Sequence, residues 1–316
     1  GLAVLVWQAG RRRGWPARIA ATAGLLYALN PVAILTSAFH GNQTVLSVFF
    51  AFAGYYYVAA DPRGGRWGYP PGALLLGLGI AARSFPVLLL PVFLILLPVA
   101  RGPAGWRQRA LFAGWALLPA ALVSVPALLL DAPAYLRETL AYSGFADQGW
   151  LAIRRAWGVV QGSGSPFPPD TAAWLAFSKW LFLAGYAALL GWLIGHRRRV
   201  SLARASLLVW LLFYLVYGGV STHYLGWVIP FGLLVAWRPT ALYSLAAAAA
   251  MIGFYLTWFP PILLGRYAPP VHWTGLEWHG YLITLILAWG VNAIWFVCAL
   301  RRPGAILDFG FMNCRG

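Results

Sequence analysis

The sequence predicts an all-α protein: a polytopic transmembrane helical bundle with about nine to ten spans, two short-helix hairpins and an external amphipathic loop helix. Three observations predict it. Apolar residues make up 61% of the 316 and charged residues 9%, with a mean hydropathy of +0.71, which excludes a soluble globular domain. Long apolar segments alternate with short loops. Positive charge occupies every second loop: Arg11, Arg12, Arg13 and Arg18; Arg63 and Arg66; Arg101, Arg107 and Arg109; Arg197, Arg198, Arg199 and Arg204; Arg238; Arg301 and Arg302. The intervening loops hold Asp131, Glu138, Asp147, Asp170 and Glu277, five of the seven acids. This is the positive-inside pattern, and it assigns the arginine-bearing loops to the cytoplasm.

The formal charge of +16 would suit a nucleic-acid binder, but sixteen of the 23 basic residues lie in those loops. They are read as topology signals and anionic-lipid anchors, with membrane lipids and no nucleic acid as partners. Cys298 and Cys314 suggest neither a disulfide nor a metal framework. The single lysine, Lys179, against 22 arginines points to GC-rich coding, so an arginine can stand where another chain would use lysine.

A helix crossing the ~30 Å hydrocarbon core needs about 20 apolar residues. Gly1–Ala9 reads as the tail of a span, and the chain as a fragment lacking an N-terminal segment. Ile19–Phe39 crosses outward and Gln43–Ala60 returns. Both ends of the next stretch carry cytoplasmic charge, so it must be a hairpin of two short helices, Gly72–Ala82 and Phe85–Val99, with Arg83 and Pro86 at its tip. Ala110–Leu130 crosses outward. Residues 131–172 form the external loop of a single transmembrane domain spanning 1–316. Within that loop Trp150, Ile153, Trp157 and Val160 recur at helical spacing with Arg155 opposite, which predicts an interfacial amphipathic helix. Ala173–Gly195 returns inward. Ser206–Gly219 and Tyr224–Trp237 make a second tight hairpin with Ser221, Thr222 and His223 at its tip. Ala241–Phe259 and Gly280–Leu300 complete the bundle, leaving the C-terminus cytoplasmic.

On this topology the unusual polar residues gather outside: His40, Asn42 and Gln43; Arg83; Tyr142, Asp147, Arg154 and Arg155; His223 and Tyr224; His272, Glu277 and His279. Arg83 stands out because two sub-length helices meet there, where a charge below the membrane surface calls for an anionic partner. Arg154 and Arg155 suit bidentate phosphate binding, or lipid headgroups. His40, Gln43, Tyr142, His223 and Tyr224 complete the candidate substrate-binding set, and Asp147 is the remaining candidate carboxylate. No metal-ligand cluster is expected. Asn42-Gln43-Thr44 fits a glycosylation sequon but lies too near the membrane. Gly191 to Gly195 is a GxxxG read as helix packing.

Three segments resemble GT-C integral-membrane glycosyltransferases of the GPI-type and bacterial mannosyltransferase branch. Asn30-Pro31 followed by His40-Gly41-Asn42-Gln43 is similar to their Asn-Pro…His-Gly-Gln element. Ala82-Arg83-Ser84-Phe85-Pro86 is similar to their lysine–x–x–proline hairpin, with arginine for lysine. Ser221-Thr222-His223-Tyr224-Leu225-Gly226-Trp227 through Pro230 resembles their Gln-Tyr-x-x-Trp-x-x-Pro segment. The resemblance covers roughly residues 25–235; it departs where Thr44 and Val45 follow Gln43 in place of an acid.

The resemblance implies transfer of a sugar, mannose or another hexose, from a polyprenyl-phosphate donor to a lipid-linked or glycan acceptor, with inversion, outside a bacterial plasma membrane. It places the catalytic carboxylate, and any divalent metal, in a loop before residue 1. The other function classes are a transporter or flippase of a lipid-linked sugar, which an intramembrane arginine also fits, and a structural subunit, which leaves the polar tips unexplained.

Overall fold

The computed structural model describes residues 1–39, 41–60, 69–99, 102–142, 144–162, 168–259 and 275–301. Over these residues the chain is all-helical, and its only extended pairing is one bridge between Gln148 and Val220. In chain order the helices are α1 (Leu2–Arg12), α2 (Ala17–Ala28), α3 (Pro31–Ile34, continued by a π turn to Phe39), α4 (Thr44–Ala60), α5 (Pro70–Ala82), α6 (Leu89–Leu96, entered by a 3₁₀ turn from Phe85), α7 (Pro103–Ala141), α8 (Gly149–Val160), α9 (Thr171–His196), α10 (Leu202–Val216), α11 (Val228–Val235, entered by a 3₁₀ turn from Thr222), α12 (Trp237–Trp258) and α13 (Gly275–Arg301).

Among the described residues four helices are long and apolar enough to cross a membrane, namely those spanning Pro103–Thr139, Thr171–His196, Trp237–Trp258 and Leu276–Arg301; the pair Ala17–Ala28 and Pro31–Ala38, bent by 44°, makes a fifth if it is one span. These helices mark the chain as an integral membrane protein. The count is lower than the nine to ten spans expected. The other apolar helices, such as Thr44–Ala60 and Leu202–Val216, have 10–17 residues, short of the roughly 20 that a straight crossing needs.

α10 and α11 form the centre. Nearly every residue of both is buried, with α4, α6, α8, α9 and α13 packed around α10. A helix that is apolar on all sides is stable only when fully enclosed by protein or lipid. Close-packed glycines lie on α4 and α5, and also on α2, α11 and α12, but not at the GxxxG of α9. A Cβ on Gly54 would lie 2.8 Å from the Gly72 carbonyl oxygen, whereas one on Gly191 or Gly195 would meet nothing within 4 Å. Small residues at a helix crossing let the backbones approach.

Local chemistry sets the breaks. Asn30 ends the α2 direction and caps α3: its Oδ1 accepts from the amides of Val32 (3.0 Å) and Ala33 (3.3 Å), and its Nδ2 donates to Ser244 Oγ on α12 (2.8 Å). Pro31 at the first helical position completes the restart. α7 continues eleven residues beyond the predicted end at Leu130, a correction to the 131–172 loop. Asp131 leaves helical geometry (φ −155°, ψ 82°), and its Oδ1 then accepts the Ala134 amide at 3.0 Å, so the acid restarts a helix instead of ending one. Ser124 Oγ, 2.7 Å from Tyr135 OH, braces the kink.

Several arginines that the sequence assigns to loops cap the C-terminal ends of other helices, two of them from within helices, Arg109 in α7 and Arg204 in α10. Arg13 donates to Leu234 O at the end of α11, Arg109 Nε to Leu94 O at the end of α6 (2.8 Å), and Arg204 to Ala299 O at the end of α13 through Nε (3.1 Å) and NH2 (2.7 Å). The last carbonyls of a helix lack intrahelical donors and carry partial negative charge, which a guanidinium satisfies on both counts.

Candidate functional site

The site is assembled by two loops that run against each other. The Gln148–Val220 bridge joins residues 144–148, after α7, to residues 217–221, after α10; the amides of Asp147 and Gln148 both donate to Val220 O, at 3.2 and 2.9 Å. Gly144 permits this approach. Its φ is +76°, and a Cβ would lie 2.4 Å from Gly219 O. The Tyr281 hydroxyl of α13 donates to Asp147 O, fixing the loop from a third side.

Arg83 caps α5 with extended backbone, and its side chain reaches across to the 42–44 turn and the 222–227 turn. NH2 lies 3.5 Å from Asn42 Oδ1, the outer limit of a hydrogen bond, and the guanidinium carbon lies 6.0 Å from the Tyr224 ring centroid. Arg83 Nε is buried with no hydrogen-bond partner, and no acid pairs with Arg83 among the described residues. Asn42 Oδ1 is also engaged by the Thr44 amide at 2.9 Å and by Thr44 Oγ1. Phe85, two residues beyond Arg83, packs on Tyr224, Phe213 and Trp227 with ring centroids 5.0, 5.1 and 5.5 Å apart, and so joins the turn after α5 to α10 and to the turn before α11. The Tyr142 hydroxyl approaches that of Tyr224 without closing a hydrogen bond of normal geometry.

The line continues through the buried His223, whose ring centroid is 4.4 Å from that of Tyr224. His223 Nδ1 lies 3.2 Å from Ser221 Oγ, and Ser221 Oγ donates to Asp147 Oδ2 at 2.9 Å. Burial pushes the Asp147 carboxyl from its ordinary 3.8 up to about 6, against the opposing pull of the Ser221 hydrogen bond and the Arg155 charge. A cation thus ends the row at Arg83 and a carboxylate ends it at Asp147, with Tyr224, His223 and Ser221 between.

Arg155 does not lie opposite the buried face of α8, as the spacing predicts. The helix buries Leu151, Ala152, Arg155 and Ala156, while Trp157 is 51% exposed. Of the predicted apolar face only Trp157 turns outward; Trp150, Ile153 and Val160 are half-buried, and Trp150 Nε1 donates to Val216 O at 2.7 Å. Arg155 is tolerated inside because NH1 donates to Ala146 O (2.6 Å) and the guanidinium stacks 5.1 Å over Trp258. Burial lowers its pKa, which Tyr281 and Asp147 partly restore. Arg154 is engaged elsewhere: it pairs in bidentate fashion with Asp170, the residue before α9, and stacks 5.2 Å over Trp174. That pair, with Trp174 Nε1 also donating to Asp170, lowers the Asp170 pKa.

Gln43 is exposed at the turn before α4, beside Asn42. His40 and His272 lie outside the described residues. The structure therefore brings Arg83, Tyr142, Tyr224, His223, Asp147 and Arg155 into one neighbourhood and leaves Arg154 on its rim. Sequence reasoning placed Asn42 and Ser221 in the polar tips without making them part of the candidate set, and it missed Tyr281, which carries no signal of its own. Among the described residues, no group of three or more His, Cys, Asp or Glu could hold a metal ion. No known protein family, curated protein or solved structure matches the chain.

Proposed function

We propose that the chain is a membrane glycosyltransferase of the GT-C type, moving a hexose from a polyprenyl-phosphate donor to a lipid-linked or glycan acceptor at the outer face of a bacterial plasma membrane. On this reading α5 with α6, and α10 with α11, are hairpins that bring their tips to one outward pocket. Each of the five short apolar helices, counted as one crossing, then restores the count of nine to ten. The GT-C resemblance of three segments supports the reading. Arg83 carries it: a partly buried guanidinium whose Nε has no partner among the described residues, set where two short helices meet.

The chemistry is displacement at the anomeric carbon. An acceptor hydroxyl attacks while the lipid phosphate departs, and the charge that builds on the leaving oxygen needs a preorganised cation. One such donor contributes about 3 kcal/mol to transition-state stabilisation, or about 100-fold in rate. Arg83 is placed to supply it, and Asn42 and Tyr224 would orient the headgroup beside it. A flippase of the same lipid would use the same cation for binding but would form no glycosidic product.

The test is transfer from a radiolabelled polyprenyl-phosphate hexose in proteoliposomes, followed by product extraction. Arg83→Ala should lower turnover by about 100-fold with normal membrane insertion, and Arg83→Lys should retain part of it. Wild-type turnover in Arg83→Ala would remove the phosphate-site reading, and donor translocation without product would favour the flippase.

A further inference from the structure

We infer that Asp147 is the proton acceptor at this site, with Ser221 and His223 as positioning residues that hold one carboxylate oxygen and leave the other open to an acceptor hydroxyl. The inference rests on the transferase reading above, and departs from the family resemblance in assigning to Asp147 the carboxylate that the resemblance sets before residue 1. It starts from where the carboxylates lie. Asp131 uses its carboxylate to cap the second segment of α7; Glu138 is exposed beside Arg137; Asp170 is tied to Arg154 and Trp174; Glu277 is exposed. Among the described acids, Asp147 alone is withdrawn from bulk water without a salt bridge.

Its geometry is that of a held group. The main chain is fixed through its amide to Val220 and through its carbonyl from Tyr281. Ser221 donates to Oδ2, so Ser221 Oγ accepts from His223 Nδ1, which sets the neutral imidazole as the Nδ1–H tautomer. Oδ1 accepts no hydrogen bond from the described residues. The titratable and charged groups that face Asp147 are Arg155 from α8, Tyr255 from α12, Tyr281 from α13 and His223 from the turn before α11. Burial raises the carboxyl towards about 6, and a base is most effective when its pKa lies near the working pH.

The step balances. The acceptor oxygen forms its bond to the anomeric carbon and its proton passes to Asp147 Oδ1. The bond from that carbon to the phosphate oxygen breaks, and its electron pair leaves with the lipid phosphate towards Arg83. The acid then returns its proton to water.

The test uses the full chain in proteoliposomes, with donor binding measured separately from turnover and kcat/KM followed from pH 5 to 9. Asp147→Asn should bind the polyprenyl-phosphate hexose within about threefold of wild type and lose at least roughly 100-fold in turnover. The acidic limb of the wild-type profile should move to higher pH in Ser221→Ala, because the lost hydrogen bond favoured the ionised carboxylate. Turnover in Asp147→Asn within about tenfold of wild type, with the limb unmoved, overturns the assignment alone. A wild-type protein that binds donor and yields no product at any pH overturns the transferase reading and this assignment with it.

Discussion

Replacing Gly144 by alanine tests whether the meeting of the two loops holds the site together. Gly144 and Gly162 have almost the same backbone, φ +76° and +79°, and both lie in the segment between α7 and α9. Alanine in this left-handed region costs about 1–2 kcal/mol at either position. Only Gly144 adds a collision. Its Cβ would lie 2.4 Å from Gly219 O, whereas a Cβ on Gly162 would meet nothing within 4 Å. Both partners are backbone, so relief requires the loops to part by about 1 Å to reach ordinary contact. That separation stretches the two hydrogen bonds to Val220 O, now 3.2 and 2.9 Å, beyond the range in which they hold. Two bonds at about 0.5–1.5 kcal/mol each give a difference of about 1–3 kcal/mol between the variants. At about 1.4 kcal/mol per tenfold, the Gln148 amide should exchange with deuterium roughly 5- to 150-fold faster in Gly144→Ala than in Gly162→Ala. Equal protection in the two variants would refute the loop contact as the element that places Asp147.

Three further outcomes follow from particular contacts. Asn30→Ala should lower the free energy of unfolding in an SDS titration by about 1–2 kcal/mol, through loss of the α3 cap, while Asn30→Asp should keep the cap and lose only the link to Ser244. Arg204→Met should cost about 1.5–3 kcal/mol in the same assay, because Ala299 O loses both guanidinium donors. Asp147 sets a pH dependence. Its carboxyl titrates at about 6 in the fold against 3.8 ordinarily, so between those values the folded chain holds the proton more firmly. Stability should therefore rise as pH falls from 7 through 6 towards 4, by about 3 kcal/mol at most, and Asp147→Asn should be more stable than wild type at pH 7.5 with a flatter profile.

The long apolar segments were legible because hydropathy and its breaks are local. The spans predicted at Ala241–Phe259 and Gly280–Leu300 appear as Trp237–Trp258 and Gly275–Arg301. The division of two stretches into short helices was also legible, at Arg83 and at Ser221–His223, because polar residues interrupt each apolar run there. The end of α7 was not, since Asp131 looks like a loop acid and acts as a cap followed by Pro133. On α8, Arg155 was placed on the wrong side. Periodicity finds an apolar face, but in a membrane it does not say whether protein or lipid covers that face, and the carbonyl that shelters Arg155 lies in the preceding loop. At the site, Arg83, His223 and Tyr224 stood out as polar groups amid apolar sequence. Ser221 in the loop after α10 and Tyr281 in α13 are ordinary residues for such a chain, and only tertiary contact gives them a role.

The account depends on Arg83, Asp147 and Tyr224 sharing an outward-facing end, opposite the arginine-capped helix ends. Labelling of single-cysteine variants with a membrane-impermeant maleimide in intact spheroplasts tests this, after Cys298→Ser and Cys314→Ser. Ser84→Cys and Gln161→Cys, at exposed positions beside the site and at the end of α8, should label without permeabilisation, and Arg198→Cys only after it. Labelling of Ser84→Cys that requires permeabilisation, or labelling of Arg198→Cys in intact cells, would contradict the shared outward site.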